Sequence, residues 1–325
     1  MAKKTILLIL SAIFMISGTD IFSQKHNYVP EILINAHWGT ATGEFGLRDG
    51  KEIEPVGPIT FTLDNKNNIY ILDTINGRIQ KFDKDGKLLA IIGRKIYGST
   101  MCVDNDGNLY LLQRNFIRQY SPTGELKKIF FISEDINLID GHGQLVLFDE
   151  SGSLSISTIE QKIYKIAIPN QKLNKNIMFG NHLKLLSKFE QVQSEKLGIP
   201  GNNSKTRFIT RWQNKHKALV SILKNEGTFI RDIPLVTTDI LGSVIFLKQD
   251  NKSSIYVEVE RITQDNYVHL EVMKYKVEGS LLATVELPND YYTTCYKKVE
   301  VDNLGNIYQM LTTEEGVQLI KWYLR

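Results

Sequence analysis

The sequence predicts an all-β, six-bladed β-propeller of four-stranded antiparallel blades. Three observations predict it: Gly57 to Gly93 holds four short strand patterns with their turns, that unit recurs, and the chain ends carry complementary fragments of one unit. A single unit of this size buries only one face, so repetition is what stabilises it.

In the first unit Ile59, Phe61 and Leu63 alternate with polar residues and stop at Asp64-Asn65-Lys66-Asn67-Asn68, whose small polar side chains favour a tight turn. Ile69 to Leu72 follow as a short apolar run ending in Asp73. Thr74 to Gly77 connect it to Ile79–Phe82, and Asp83-Lys84-Asp85-Gly86 is a hairpin signal before Leu88–Ile92. Setting Asp64 on Asp104 brings Tyr70 onto Tyr110, Phe82 onto Tyr120 and Gly86 onto Gly124. The last unit repeats the turn as Asp302-Asn303-Leu304-Gly305-Asn306, with Tyr308 after it.

The pattern Asp-x-x-Gly-Asn-apolar-Tyr, then Asp, then Asn-Gly-Arg-Ile-x-x-Phe-Asp-x-x-Gly, resembles the NHL repeat and related six-bladed propellers of secreted bacterial proteins. The resemblance covers residues 30 to 130 and 297 to 325. Arg78 stands at the arginine position of that pattern, and Phe116 replaces it in the second unit. The resemblance implies a propeller and no particular reaction, because this fold hosts lyases, lactonases, dehydrogenases and binding modules.

Glu31 to Gly39 reads as a fourth strand with no unit before it. The final unit supplies Val299–Val301, Ile307–Met310 and Val317–Leu324 and then ends. An N-terminal strand joining the last blade would close the ring and remove its open edges. Second strands mark the blades between: Leu145–Phe148 for the third, Phe208–Trp212 for the fourth, Ile255–Val259 for the fifth and Ile307–Met310 for the sixth. Seven near-regular blades would also fit the distance from Tyr70 to Tyr308, but Asn170 to Lys205 holds no blade pattern of its own.

Lys3 and Lys4 precede an apolar run from Ile6 to Ile16 that Ser17, Gly18 and Thr19 interrupt, the layout of a secretory signal peptide over residues 1–23. That run is short of the ~20 residues a membrane span needs. Residues 24–325 then form one propeller domain, expected outside the cytoplasm, with a basic insertion around 170–206. From Lys172 to Lys217 ten cations oppose Glu190 and Glu195. Such an excess is either a solvated excursion, with Leu183–Phe189 as the fourth blade's first strand, or a docking surface for an anionic partner.

With 42% hydrophobic residues the chain can bury a substantial core, and a net charge of +3 gives no ground for nucleic-acid binding. Cys102 and Cys295 fall on non-adjacent blades and read as small buried residues rather than a disulfide. Asn202-Asn203-Ser204 and Asn251-Lys252-Ser253 are sequons that matter only in a eukaryotic host.

No catalytic motif appears. Asp104-Asn105-Asp106-Gly107-Asn108 resembles a calcium loop, but its twelfth position is Asn115 rather than glutamate, and its recurrence marks a hairpin turn. The six histidines, His26, His37, His142, His182, His216 and His269, show no metal-ligand spacing. Asp135, Asn137, His142, Asp239 and Asp290 fall in or near connections between blades, where axial ligands would sit. The mouth of the ring, formed by connections between blades and between second and third strands, would gather Arg94, Lys95, Tyr97, Arg114, His216, Lys217, Arg261, Tyr291, Tyr292 and Tyr296.

Tyrosine offers large contact area at low entropic cost, and arginine pairs with carboxylates or phosphates. The expected function is therefore a binding or scaffold module, not an enzyme, for a protein, peptide or glycan partner, with no metal or cofactor. Inter-blade packing is the bland account of Tyr291-Tyr292. The competing function is a metal-assisted, lactonase-like hydrolase or lyase at the axial channel, with calcium as its metal and convergent carboxylates or histidines as its mark.

Overall fold

The computed structural model describes residues 28–113, 116–131, 145–148, 154–157, 162–165, 196–202 and 205–325. The expected signal peptide, most of the basic insertion with Leu183–Phe189, and Arg114, Asp135, Asn137, His26, His142 and His182 lie outside these residues. All regular elements among the described residues are strands.

The architecture is a β-propeller of four-stranded antiparallel blades. One blade comprises β4 (Phe61–Leu63), β5 (Ile69–Asp73), β6 (Arg78–Phe82) and β7 (Leu88–Ile92), paired in that order. The next comprises β8 (Thr100–Val103), β9 (Leu109–Gln113), β10 (Phe116–Tyr120) and β11 (Leu126–Phe131). Later come β16 (Ile199–Pro200), β17 (Thr206–Asn214), β18 (Lys217–Lys224) and β19 (Phe229–Val236), then β20 (Ile240–Gln249), β21 (Ile255–Ile262), β22 (Val268–Tyr275) and β23 (Leu281–Leu287).

The terminal blade comprises β24 (Val299–Val301), β25 (Ile307–Thr312) and β26 (Gly316–Leu324), and β1 (Tyr28–His37) pairs antiparallel with β26. A short hairpin, β2 (Arg48–Gly50) with β3 (Ile53–Val56), lies in the connection that follows β1.

These five blades carry described side chains, where the sequence reading counts six. Backbone pairing alone defines a further four-stranded sheet, β12 (Leu145–Phe148), β13 (Leu154–Ser157), β14 (Lys162–Lys165) and β15 (Lys196–Leu197), with β12 beside β8. Two assignments need correction. Leu145–Phe148 is the first strand of its sheet rather than the second, because a short strand with no turn signature before it gives no phase. Ile199–Pro200, within the stretch where the sequence shows no blade pattern, takes the first-strand position of its blade, where pairing with Phe208 and Arg207 overrides its glycine-flanked composition.

The blades pack face to face through apolar seams. Leu72 and Ile79 meet Met101 and Leu111, Met310 and Leu319 meet Phe61 and Ile71, and Phe208 and Val220 meet Val257 and Val259. Each such fully buried aliphatic side chain contributes about 2 kcal/mol.

In four blades the turn after the first strand has one recurring construction. Asp64 Oδ1 accepts the amides of Lys66 (2.9 Å) and Asn68 (2.8 Å), and its Oδ2 accepts Tyr70 OH (3.3 Å). Asp104 serves Tyr110 and Asp302 serves Tyr308 in the same way. Asp250 does so too: it holds the amides of Lys252 and Ser254 and accepts Tyr256 OH at 3.0 Å. In all four turns the third residue after the aspartate has positive φ: Asn67, Gly107, Ser253 and Gly305. That position favours glycine or asparagine, so Ser253 disguises the turn in sequence. The Asn251-Lys252-Ser253 sequon is therefore part of a structural turn.

Candidate functional site

The mouth end of the propeller is where connections between second and third strands meet connections between blades. In the first of these places Ile96 donates its amide to Gly77 O (2.8 Å), which folds Arg94–Tyr97 over the β5–β6 turn. Arg94 is exposed, and Tyr97 leans over the Gly77 backbone with half its surface free. Beneath them Asp73, fully buried, accepts Arg78 Nε (2.8 Å), Asn76 Nδ2 (2.9 Å) and the Gly46 amide (2.9 Å). Arg78 also donates to the carbonyls of Thr40, Ala41 and Glu44. This arginine is a strut that fixes the loop after β1, since a buried carboxylate needs its donors.

His216 and Arg261 are brought together through Asp239. His216 Nδ1 lies 2.7 Å from the Asp239 carbonyl, and Arg261 pairs with the Asp239 carboxylate and, bidentately, with Glu271. Glu271 and Asp239 push the Arg261 guanidinium up. Its donors on that side are thereby occupied, so Arg261 orders the mouth end of β21 and is not a free anion-binding group. Arg94 and Tyr97 belong to a different blade connection, and Asp290 is exposed.

Adjacent tyrosines take opposite roles. Tyr292 donates its hydroxyl to Asp49 Oδ2 (2.7 Å) on the β2–β3 hairpin. Tyr291 turns inward between the β20–β23 and terminal blades, where Gln309 Nε2 donates to its hydroxyl (3.2 Å) and Lys298 Nζ stands 4.9 Å over its ring. Burial drives the Tyr291 hydroxyl well above the usual phenol range. Lys298 also binds Glu260 (2.8 Å) and Asn289 Oδ1 (3.2 Å), and Cys295, pushed up to about 12 by burial, completes this wall. Cys102 and Cys295 are both free thiols.

Sequence reasoning missed two mouth aromatics. Tyr97, Trp212, Tyr267 and Tyr296 are 47%, 49%, 47% and 42% exposed, and all four lie at the mouth end. Phe229, the other comparably exposed ring among the described residues, lies at the opposite end. Trp212 and Tyr267 flank the connections after β17 and β21, a signal available once those strands were placed. Tyr267 packs edge-on against His269, which pairs with Glu286. Among the described residues no group of three or more His, Cys, Asp or Glu side chains is arranged to hold a metal ion. No helix among them is long and apolar enough to cross a membrane.

No family model matches this chain. Over 149 residues it is 28% identical to protein brain tumor of Drosophila melanogaster, a match that covers 42% of this chain and 13% of that protein. Similar solved structures include virginiamycin B lyase from Staphylococcus aureus, 10% identical with a TM-score of 0.46 and covering 92% of this chain and 100% of that one. Regucalcin, a calcium-binding protein from Agrobacterium tumefaciens, is 12% identical with a TM-score of 0.45, covering 82% and 91%. Likeness at these levels carries no activity across to this chain.

Proposed function

We propose that this protein is an exported, NHL-like β-propeller that acts as a binding module at its mouth end. In this reading residues 1–23 direct export, six blades form the ring with β12–β15 among them, and β1 closes it through β26. The partner is a protein, peptide or glycan of anionic character, engaged without a metal or cofactor. The observation that supports it is the gathering of Tyr97, Trp212, Tyr267 and Tyr296 at one end. Half-exposed rings on rigid strand ends supply contact area with little ordering cost. The basic stretch around 170–206 argues for the partner's negative charge.

The test is binding of the full-length chain to arrays of acidic glycans and peptides, beside a variant carrying Tyr97→Ala, Trp212→Ala, Tyr267→Ala and Tyr296→Ala. These side chains are half exposed, so the variant should keep the fold. The expected result is ligand capture by the parent and at least ~10-fold weaker capture by the variant, about 1.4 kcal/mol. Equal capture by both would contradict the reading. So would an absence of capture together with calcium-dependent lactone hydrolysis, which belongs to the axial-channel alternative.

A further inference from the structure

The shared turn fixes the phase of four second strands, so equivalent positions can be compared seam by seam. Two residues after the turn tyrosine stand Leu72, Leu112, Glu258 and Met310. One residue after it stand Ile71, Leu111, Val257 and Gln309. Between the first two blades these positions pair Leu72 with Leu111 in one apolar cluster, and between the terminal and first blades they pair Met310 with Ile71 in another. Between the β20–β23 and terminal blades the same layer holds Glu258 and Gln309. Both are buried, at 7% and 0% exposure.

Neither acceptor is satisfied. Gln309 donates to Pro288 O and Tyr291 OH, but its Oε1 has no partner, and among the described residues no hydrogen bond reaches the Glu258 carboxyl. An orphaned buried acceptor, Gln309 Oε1, in the same layer as a carboxylate that no donor reaches is costly. A proton on Glu258 turns one of them into a donor and removes the carboxylate charge. The charged and titratable groups around Glu258 are Glu260 on its own strand, Lys298 before β24, and Tyr291 and Cys295 in the preceding connection. Its strand neighbours on β20 and β22 are the apolar Ile245 and Val272. Lys298 is already engaged by Glu260.

We propose that the seam between the β20–β23 blade and the terminal blade is a proton-binding site, with Glu258 as the acceptor and Gln309 as its partner once protonated. Proton loss loosens this one seam while the apolar seams stay closed. The inference does not depend on the binding role of the mouth. Burial, opposed by Lys298, pushes the Glu258 carboxyl up to about 7 from an ordinary 4.5. The folded protein therefore holds this proton more tightly than the unfolded chain. The stabilisation is full below pH 4.5, declines as pH rises towards 7, and is absent above it.

The experiment is thermal melting of the full-length protein from pH 4.5 to 8, beside Glu258→Gln and Glu258→Leu. Relative to both variants the parent should lose about 5 °C across that window, and Glu258→Leu should melt above it at pH 8. Parallel curves for parent and Glu258→Gln would overturn the proposal. If a variant does not fold, infrared difference spectra of the parent decide: a carboxylic-acid band that titrates near neutral supports the proposal, and one confined to the ordinary carboxylate range overturns it.

Discussion

The seam between the first two blades and the seam between the β20–β23 and terminal blades are built from the same parts up to one layer. Both begin at an aspartate-capped turn whose tyrosine is buried, Tyr70 in one and Tyr256 in the other. Both continue with buried apolar residues, Ile79, Met101 and Leu109 in the first and Val272, Val285 and Val299 in the second. They part at Leu72 and Leu111 against Glu258 and Gln309. The difference teaches that the turn and its tyrosine specify the blade, whereas the layer above them is free to carry polar chemistry, provided a proton or a cation compensates.

The largest expected effect comes from moving the polar group to the other seam. Leu72→Glu would bury a carboxylate where Thr100 stands at the position equivalent to Lys298, and should cost about 4 kcal/mol or more at pH 8 and visibly less at pH 5, read from urea midpoints. Next come the shared turns: Asp64→Ala and Asp250→Ala should each cost about 2 kcal/mol, since either leaves turn amides and a buried tyrosine hydroxyl without their acceptor. Equal costs at the two turns would confirm that the blades are constructed alike. The smallest effect is Lys298→Met. It removes the cation that holds the Glu258 carboxyl down, so the pH dependence of melting should move to higher pH while stability at pH 5 changes by less than about 1 kcal/mol.

The fold was legible where turn chemistry was explicit. Asp104 to Asn108 and Asp302 to Asn306 carry glycine at the positive-φ position and announced their blades. Asp250 to Ser254 carries Ser253 there, and the equivalence of Tyr256 with Tyr70 went unread. With it went the phase that puts Glu258 in a core layer, although Ile255-Tyr256-Val257-Glu258 aligns with Ile69-Tyr70-Ile71-Leu72.

The mouth was legible as a set of connections, which places His216, Arg261, Tyr291 and Tyr292 near one end. Which of them point outward was not, because pairing partners distant in sequence decide it. Asp239 and Glu271 occupy Arg261, and Lys298 and Gln309 hold Tyr291 within the seam.

The most direct measurement is native-state hydrogen exchange of the full-length protein at pH 5 and pH 8, converted to free energies of opening for individual amides. Amides of β21 and β25 should lose opening free energy over this interval, while those of β5 and β9 should hold theirs. Equal changes in the two sets would contradict the claim that one seam, and not the ring as a whole, carries the proton-sensitive layer.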